Sequence, residues 1–132
     1  MGFKFGTASL DHMFGIDAKL LRIAHRAIEI SKIDFGIPET GGVRSDKVQY
    51  SLYITGASKC DGTNNRSKHQ DGEALDFYAY VNGAASWQTS HLAQIAAAML
   101  QASIELGYPI QWGGLFKSFV DMPHIQLIKD AK

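Results

Sequence analysis

The run Ser67-Lys68-His69-Gln70-Asp71-Gly72-Glu73-Ala74-Leu75-Asp76-Phe77-Tyr78-Ala79-Tyr80-Val81 carries both a fold signal and a chemical one. Over residues 73–81, Leu75, Phe77, Ala79 and Val81 fall on one face, and Ala74, Asp76, Tyr78 and Tyr80 on the other. A period of two marks a half-buried strand, so Asp76 leaves the sheet on its polar side. His69 precedes Asp76 by seven positions, with Gly72 between them to allow a sharp turn. Far downstream stand Trp112-Gly113-Gly114 and Asp121-Met122-Pro123-His124. His69, Asp76 and His124 together offer two imidazoles and one carboxylate. That donor set suits a catalytic zinc, one per chain, which keeps a fourth position open for water. Asp121 is left as a spare carboxylate.

Working outward, residues 56–68 are rich in Gly, Ser, Asn, Asp and Lys and read as a loop leading into His69. Asn82-Gly83 turns the chain after the strand. Asp17 caps a helix to about Lys32 with a broad apolar stripe of Leu20, Leu21, Ala24, Ala27, Ile28 and Ile30. His25 within it reads as a structural or surface histidine. Residues 33–42 read as a strand and turn. Ser45 caps a short helix carrying Val48, Leu52 and Tyr53 and stopped by Gly56. A second long helix spans residues 88–105, with Leu92, Ile95, Ala96, Met99, Leu100 and Ile104 as its buried face and His91 at its exposed start. Gly107 and Pro109 end it. Residues 110–112 and 124–128 read as strands, the second with Ile125 and Leu127 inward and His124 and Gln126 opposite. Residues 1–16 show no clear period and read as an N-terminal arm. The pattern is α+β, helices packed on a small antiparallel sheet, in a single domain over residues 1–132.

Composition narrows the function. Hydrophobic residues make up 45% and charged residues 20%, which excludes a disordered chain. Thirteen basic residues balance thirteen acidic ones, so no basic excess calls for nucleic acid. No apolar run is long enough to span a membrane, and no apolar secretory segment opens the chain. The expectation is a soluble monomer held in a cytoplasm. The single cysteine, Cys60, has no partner for an internal disulfide and no neighbouring histidine to activate it.

Ser67-x-His69-x-x-Gly72-x-Ala74-x-Asp76, with Asp121-x-Pro123-His124 downstream, resembles the zinc peptidases that cut peptidoglycan stem peptides. That family includes D-alanyl-D-alanine carboxypeptidases and single-domain phage endolysins that are L-alanyl-D-glutamate endopeptidases. The likeness runs from about Leu10 to the end and takes in Gly42-x-Arg44 and Trp112-Gly113-Gly114. It implies the hedgehog/D-alanyl-D-alanine-peptidase-like fold and a peptidoglycan stem peptide as substrate. It also implies an endolysin of a phage or prophage that reaches the wall after release from the host cytoplasm. The alternatives are a D-alanyl-D-alanine carboxypeptidase and a wall-binding module without catalysis. An intact donor set with Asp121 argues against the second of these.

Roles follow from the same resemblance and from the chemistry. Zinc lowers the pKa of a bound water from about 15.7 toward roughly 7. A carboxylate within hydrogen-bond reach can take that proton and return it to the departing amine, and in the family the acid at the position of Asp121 does so. Arg44 is expected to hold a substrate carboxylate or the developing negative charge on the scissile oxygen. As a solvated side chain it would contribute little to folding. Ser67, Trp112 and Tyr78 are expected at the substrate, with Tyr80 on the same face as Tyr78. Glu73 and Asp71 stay outside the set, because alternation points Glu73 away from the face of Asp76. The chain departs from many relatives at Leu115, where they carry a polar or acidic residue after the two glycines.

Overall fold

The computed structural model describes residues 2–129; the ends of the expected domain, residue 1 and residues 130–132, lie outside it. Two helices supply the main apolar faces. Helix α1 (Thr7–His12) lies within the expected arm and leads into the buried Met13 and Ile16. Helix α2 (Ala18–Ile30) starts at Asp17, whose carboxylate accepts the Lys19 N–H at 2.8 Å. Such a cap satisfies one of the backbone donors that a helix start leaves open. Leu20, Ile23, Ala24, Ala27 and Ile28 are its buried face. Each large side chain so buried contributes roughly 1.5–3 kcal/mol.

Strand β1 (Asp34–Gly36) and helix α3 (Asp46–Ile54) follow. Ser45 caps α3 by accepting the Val48 N–H. The one buried residue of α3 is Gln49, while Val48, Tyr50, Tyr53 and Ile54 are exposed. A 3₁₀ turn (Lys68–Asp71) then introduces β2 (Ala74–Asp76), β3 (Tyr78–Val81) and β4 (Ala84–Ser86). Helix α4 (Thr89–Leu106) ends at Gly107, whose φ of 77° suits the left-handed helix stop. Strand β5 (Ile110–Trp112), a 3₁₀ turn (Gly113–Leu115) and β6 (His124–Leu127) complete the order.

Two three-stranded antiparallel sheets result, one ordered β1-β3-β4 and the other β2-β6-β5. Helices α2 and α4 pack together, and α4 also lies against β3 and β5. One core joins them, including Leu20, Ile23, Phe35, Phe77, Ile95 and Ile125. The α+β architecture is the expected one, with three differences. The expected strand over residues 73–81 is two strands in two sheets. The chain changes partners at Phe77, which is fully buried and donates its N–H to the Pro123 carbonyl at 2.9 Å. Strand β4 forms through the Asn82-Gly83 turn, where both residues take positive φ. Ile104 is 75% exposed rather than buried. At 3.6 residues per turn, its nine positions from Ile95 place it about half a turn from the buried face.

Candidate metal centre

Register brings the donors together. Asp76 and His124 are directly paired residues of β2 and β6, on the face of that sheet opposite Leu75 and Ile125. His69 reaches them from the 3₁₀ turn. That turn is fastened by a capping box, in which the Ser67 hydroxyl accepts the His69 N–H and Gln70 returns a bond to the Ser67 N–H. One donor atom from each of His69, Asp76 and His124 lies within 4.8 Å of the others. His69 Nε2 and His124 Nδ1 stand 3.2 and 3.1 Å from the same Asp76 oxygen, Oδ1.

The far side of each ring decides which nitrogen is free. His69 Nδ1 faces the Gly42 carbonyl at 3.0 Å, so it carries the proton and leaves Nε2 as a lone pair. His124 Nε2 faces Gln126 Oε1 at 2.9 Å, so it carries the proton and leaves Nδ1. Both lone pairs therefore point to the point that Asp76 Oδ1 also faces. Neutral imidazoles with their second nitrogens engaged are the form in which histidine binds a metal. The donor set thus fits a divalent metal with nitrogen and oxygen preferences.

Residues 41–44 clamp the same point through the backbone. The Gly41 carbonyl accepts the Asp76 N–H, the Gly42 carbonyl accepts from His69, and the Arg44 N–H donates to the His69 carbonyl. A side chain at Gly42 would collide with the His12 carbonyl, which is the reason for glycine there. Arg44 itself is not solvated: its side chain is 10% exposed. Its guanidinium donates to the Thr40 carbonyl, to Gln49 Oε1 and to Asp76 Oδ2. Gln49, fully buried, is held in turn by Ser58 Oγ and the Cys60 carbonyl. The expectation of an Arg44 with little structural weight is therefore corrected. Burial pushes its pKa down against the attraction of Asp76 and Asp121.

Asp121 stands beside the donors without joining them, its Oδ2 3.7 Å from His124 Nδ1. Gly113 places it. The Asp121 N–H donates to the Gly113 carbonyl at 2.9 Å, and any side chain at Gly113 would overlap the Asp121 backbone. Burial and the nearby charge of Asp76 raise the Asp121 pKa, against the pull of His124, His69 and Arg44. For Asp76 burial acts in the same direction. Once both imidazoles are protonated, as at low pH without a metal, the hydrogen bonds and charges of His124 and His69 outweigh it and hold that carboxyl well below the ordinary range. The donors open into a cleft of about 250 Å³ whose walls include Arg44, Ser67, Phe116, Phe119, Asp121 and Gln126.

The family model described as phage L-alanyl-D-glutamate peptidase matches residues 1–128. The chain belongs to this family. The L-alanyl-D-glutamate peptidase of Escherichia phage T5 is 32% identical over 114 residues, covering 86% of this chain and 81% of that protein. The crystal structure of the Serratia marcescens L-Ala D-Glu endopeptidase ChiX superposes with a TM-score of 0.83 at 32% identity. That match covers 95% of this chain and 90% of that one.

Within this phage peptidase family chain, the five residues expected at the metal and its chemistry, His69, Asp76, His124, Asp121 and Arg44, line one cleft. Ser67 lines it too, with its hydroxyl engaged in capping the His69 turn. Trp112 and Tyr78 are not brought there. Trp112 packs against the core and donates its indole N–H to the Met122 carbonyl at 2.7 Å, fastening the segment that carries Asp121. Tyr78 belongs to the other sheet, because the chain switches partners at Phe77. Its ring sits 5.7 Å from that of Trp87 and 5.9 Å from that of Tyr80. Glu73 faces Lys129 and Asp71 faces Arg66, away from the donors. Gln49, Gln126, Phe116 and Phe119 were missed. Only Gln126 left a sequence signal, since alternation puts it on the face of His124.

Proposed function

We propose that the chain is a zinc-dependent peptidoglycan hydrolase that cleaves the L-alanyl-D-glutamate bond of the stem peptide, as a phage or prophage endolysin. The observation that carries this reading is the donor triad with a non-donor carboxylate beside it, in a chain of this family. One zinc per chain would be held by His69 Nε2, Asp76 Oδ1 and His124 Nδ1. Held there, it supplies a Lewis acid and lowers the pKa of water.

The protein's own groups do the rest. Asp121 Oδ2 accepts a proton from the attacking water and delivers it to the D-glutamate nitrogen as the C–N bond breaks, leaving the hydroxyl oxygen on the L-alanine carbonyl carbon. Arg44 fixes Asp76 by Oδ2, so that Oδ1 stays turned to the histidines. It also adds positive charge beside the scissile carbonyl as negative charge grows. Among the described residues no helix is long and apolar enough to cross a membrane. The proposed site of action is the wall, reached after release from the host cytoplasm.

Digestion of purified peptidoglycan followed by mass spectrometry tests the reading. New N-terminal D-glutamate is the expected product. Release of D-alanine without it would move the chain to the carboxypeptidases, and no cleavage with intact wall binding would make it a binding module.

A further inference from the structure

We propose that Gln126, itself oriented by Gln111, is a positioning residue that locks His124 in the tautomer able to hold a metal. This rests on the reading of His69, Asp76 and His124 as a metal site.

Strand β6 lies between β2 and β5, and Gln126 is paired with Ala74 on one side and Gln111 on the other. Two positions apart on one strand, His124 and Gln126 share a face, and directly paired residues of neighbouring strands share it too. Their polar atoms form a row across the sheet. His124 Nε2 meets Gln126 Oε1 at 2.9 Å, and Gln126 Nε2 donates to Gln111 Oε1 at 3.2 Å. An amide oxygen only accepts, so the proton of the neutral ring sits on Nε2. With Gln111 Oε1 facing it, the Gln126 amide keeps its NH₂ toward Gln111 and its oxygen toward the ring, because the reversed amide would set oxygen against oxygen.

The lock matters because of what faces the other nitrogen. His124 Nδ1 is 3.1 Å from Asp76 Oδ1 and 3.7 Å from Asp121 Oδ2. Both carboxylates attract a proton to Nδ1, where it would cover the lone pair a metal needs. Gln126 is the acceptor that draws the proton to the far end of the ring. His69 meets the same need with the backbone carbonyl of Gly42, which no side-chain substitution removes. His124 depends on a side chain, and that dependence can be tested.

Zinc affinity is read by competition with a chromophoric chelator in Gln126→Leu, Gln126→Glu and Gln111→Leu. Loss of an outer partner of a ligating histidine weakens metal binding about 10–100-fold, and Gln126→Leu should show this. Gln126→Glu, still an acceptor, should stay within about threefold of the parent, and Gln111→Leu should fall between the two. Melting of the metal-free proteins should be similar. Unchanged affinity in Gln126→Leu, or an equal loss in Gln126→Glu, overturns the proposal. The ring nitrogen spectrum of the metal-free parent, at a pH where His124 is neutral, needs no variant. A proton on Nε2 is expected, and a proton on Nδ1 overturns the proposal even where Gln126→Leu fails to fold. A parent that binds no zinc yet shows the Nε2 proton would sink the metal-site reading and leave the lock standing.

Discussion

The two sheets share one segment of chain and use it differently. Residues 73–81 alternate throughout, yet β2 joins β6 and β5 while β3 joins β1 and β4. On the first sheet the outward face carries Asp76 opposite His124, enclosed by Arg44 and the residue 41–44 backbone. On the second it carries Tyr78 and Tyr80, which pack with Trp87 into a partly exposed aromatic group. The alternation is the same in both. Chemistry arises only where the partner strand brings a histidine to the aspartate and a third segment closes over both.

The strongest way to break this contrast is to remove a donor from the first sheet. His124→Ala and His69→Ala should each lose bound metal and wall-cleaving activity together, measured by metal analysis and by clearing of purified peptidoglycan. Stoichiometric metal in both variants would mean that the paired strands do not build the site. Next in size is Asp121→Asn, which keeps shape and removes the base. Activity should fall by roughly two orders of magnitude or more, the range general acid–base catalysis supplies, while metal content stays near the parent's. Metal lost along with activity would make Asp121 a ligand or a ligand's support.

Arg44→Ala probes the enclosure. It strips the partner from a largely buried carboxylate, and breaking such a pair costs on the order of 3 kcal/mol. The metal-free variant should therefore melt roughly 10 °C lower than the parent. Added zinc should recover part of that shift by supplying positive charge to Asp76. A melting temperature equal to the parent's would return Arg44 to the role expected from sequence, acting on the substrate with little weight in folding. The smallest effect belongs to the second sheet. Trp87→Ala should leave activity within about twofold and stability within about 1 kcal/mol, because its contacts lie in a half-exposed aromatic group away from the core. A large loss of activity there would bring the aromatic sheet into the substrate site and restore the expected role of Tyr78.

The donors were legible because their residue types are chemically uncommon in that combination and because glycine marks the turn between the first two. Helices α2 and α4 were legible from caps and stops that act locally, Asp17 at one start and Gly107 at one end. What was not legible depends on partners distant in sequence. Nothing in the alternation of residues 73–81 records that Phe77 gives its N–H to Pro123 and ends one sheet. A glutamine in a short helix reads as a surface residue, yet Gln49 is buried because Arg44, Ser58 and Cys60 together satisfy its amide. Arg44 was misread for the same reason. Helix α1 is six residues long, too short for a period to register, and β4 is a strand of small residues defined by its pairing with β3.

The pairing of Asp76 with His124 also fixes an order of events. These two residues lie 48 positions apart, and only the β2–β6 register sets them face to face. The nascent chain has His69 and Asp76 in hand long before His124 emerges, and two donors make a poor trap for an ion. If these residues hold a metal, capture by all three waits until β6 has been laid against β2. Loading becomes the closing act of maturation rather than its seed. On that reading, a polypeptide finished in a metal-poor compartment would gain its activity only from the ions it meets afterwards.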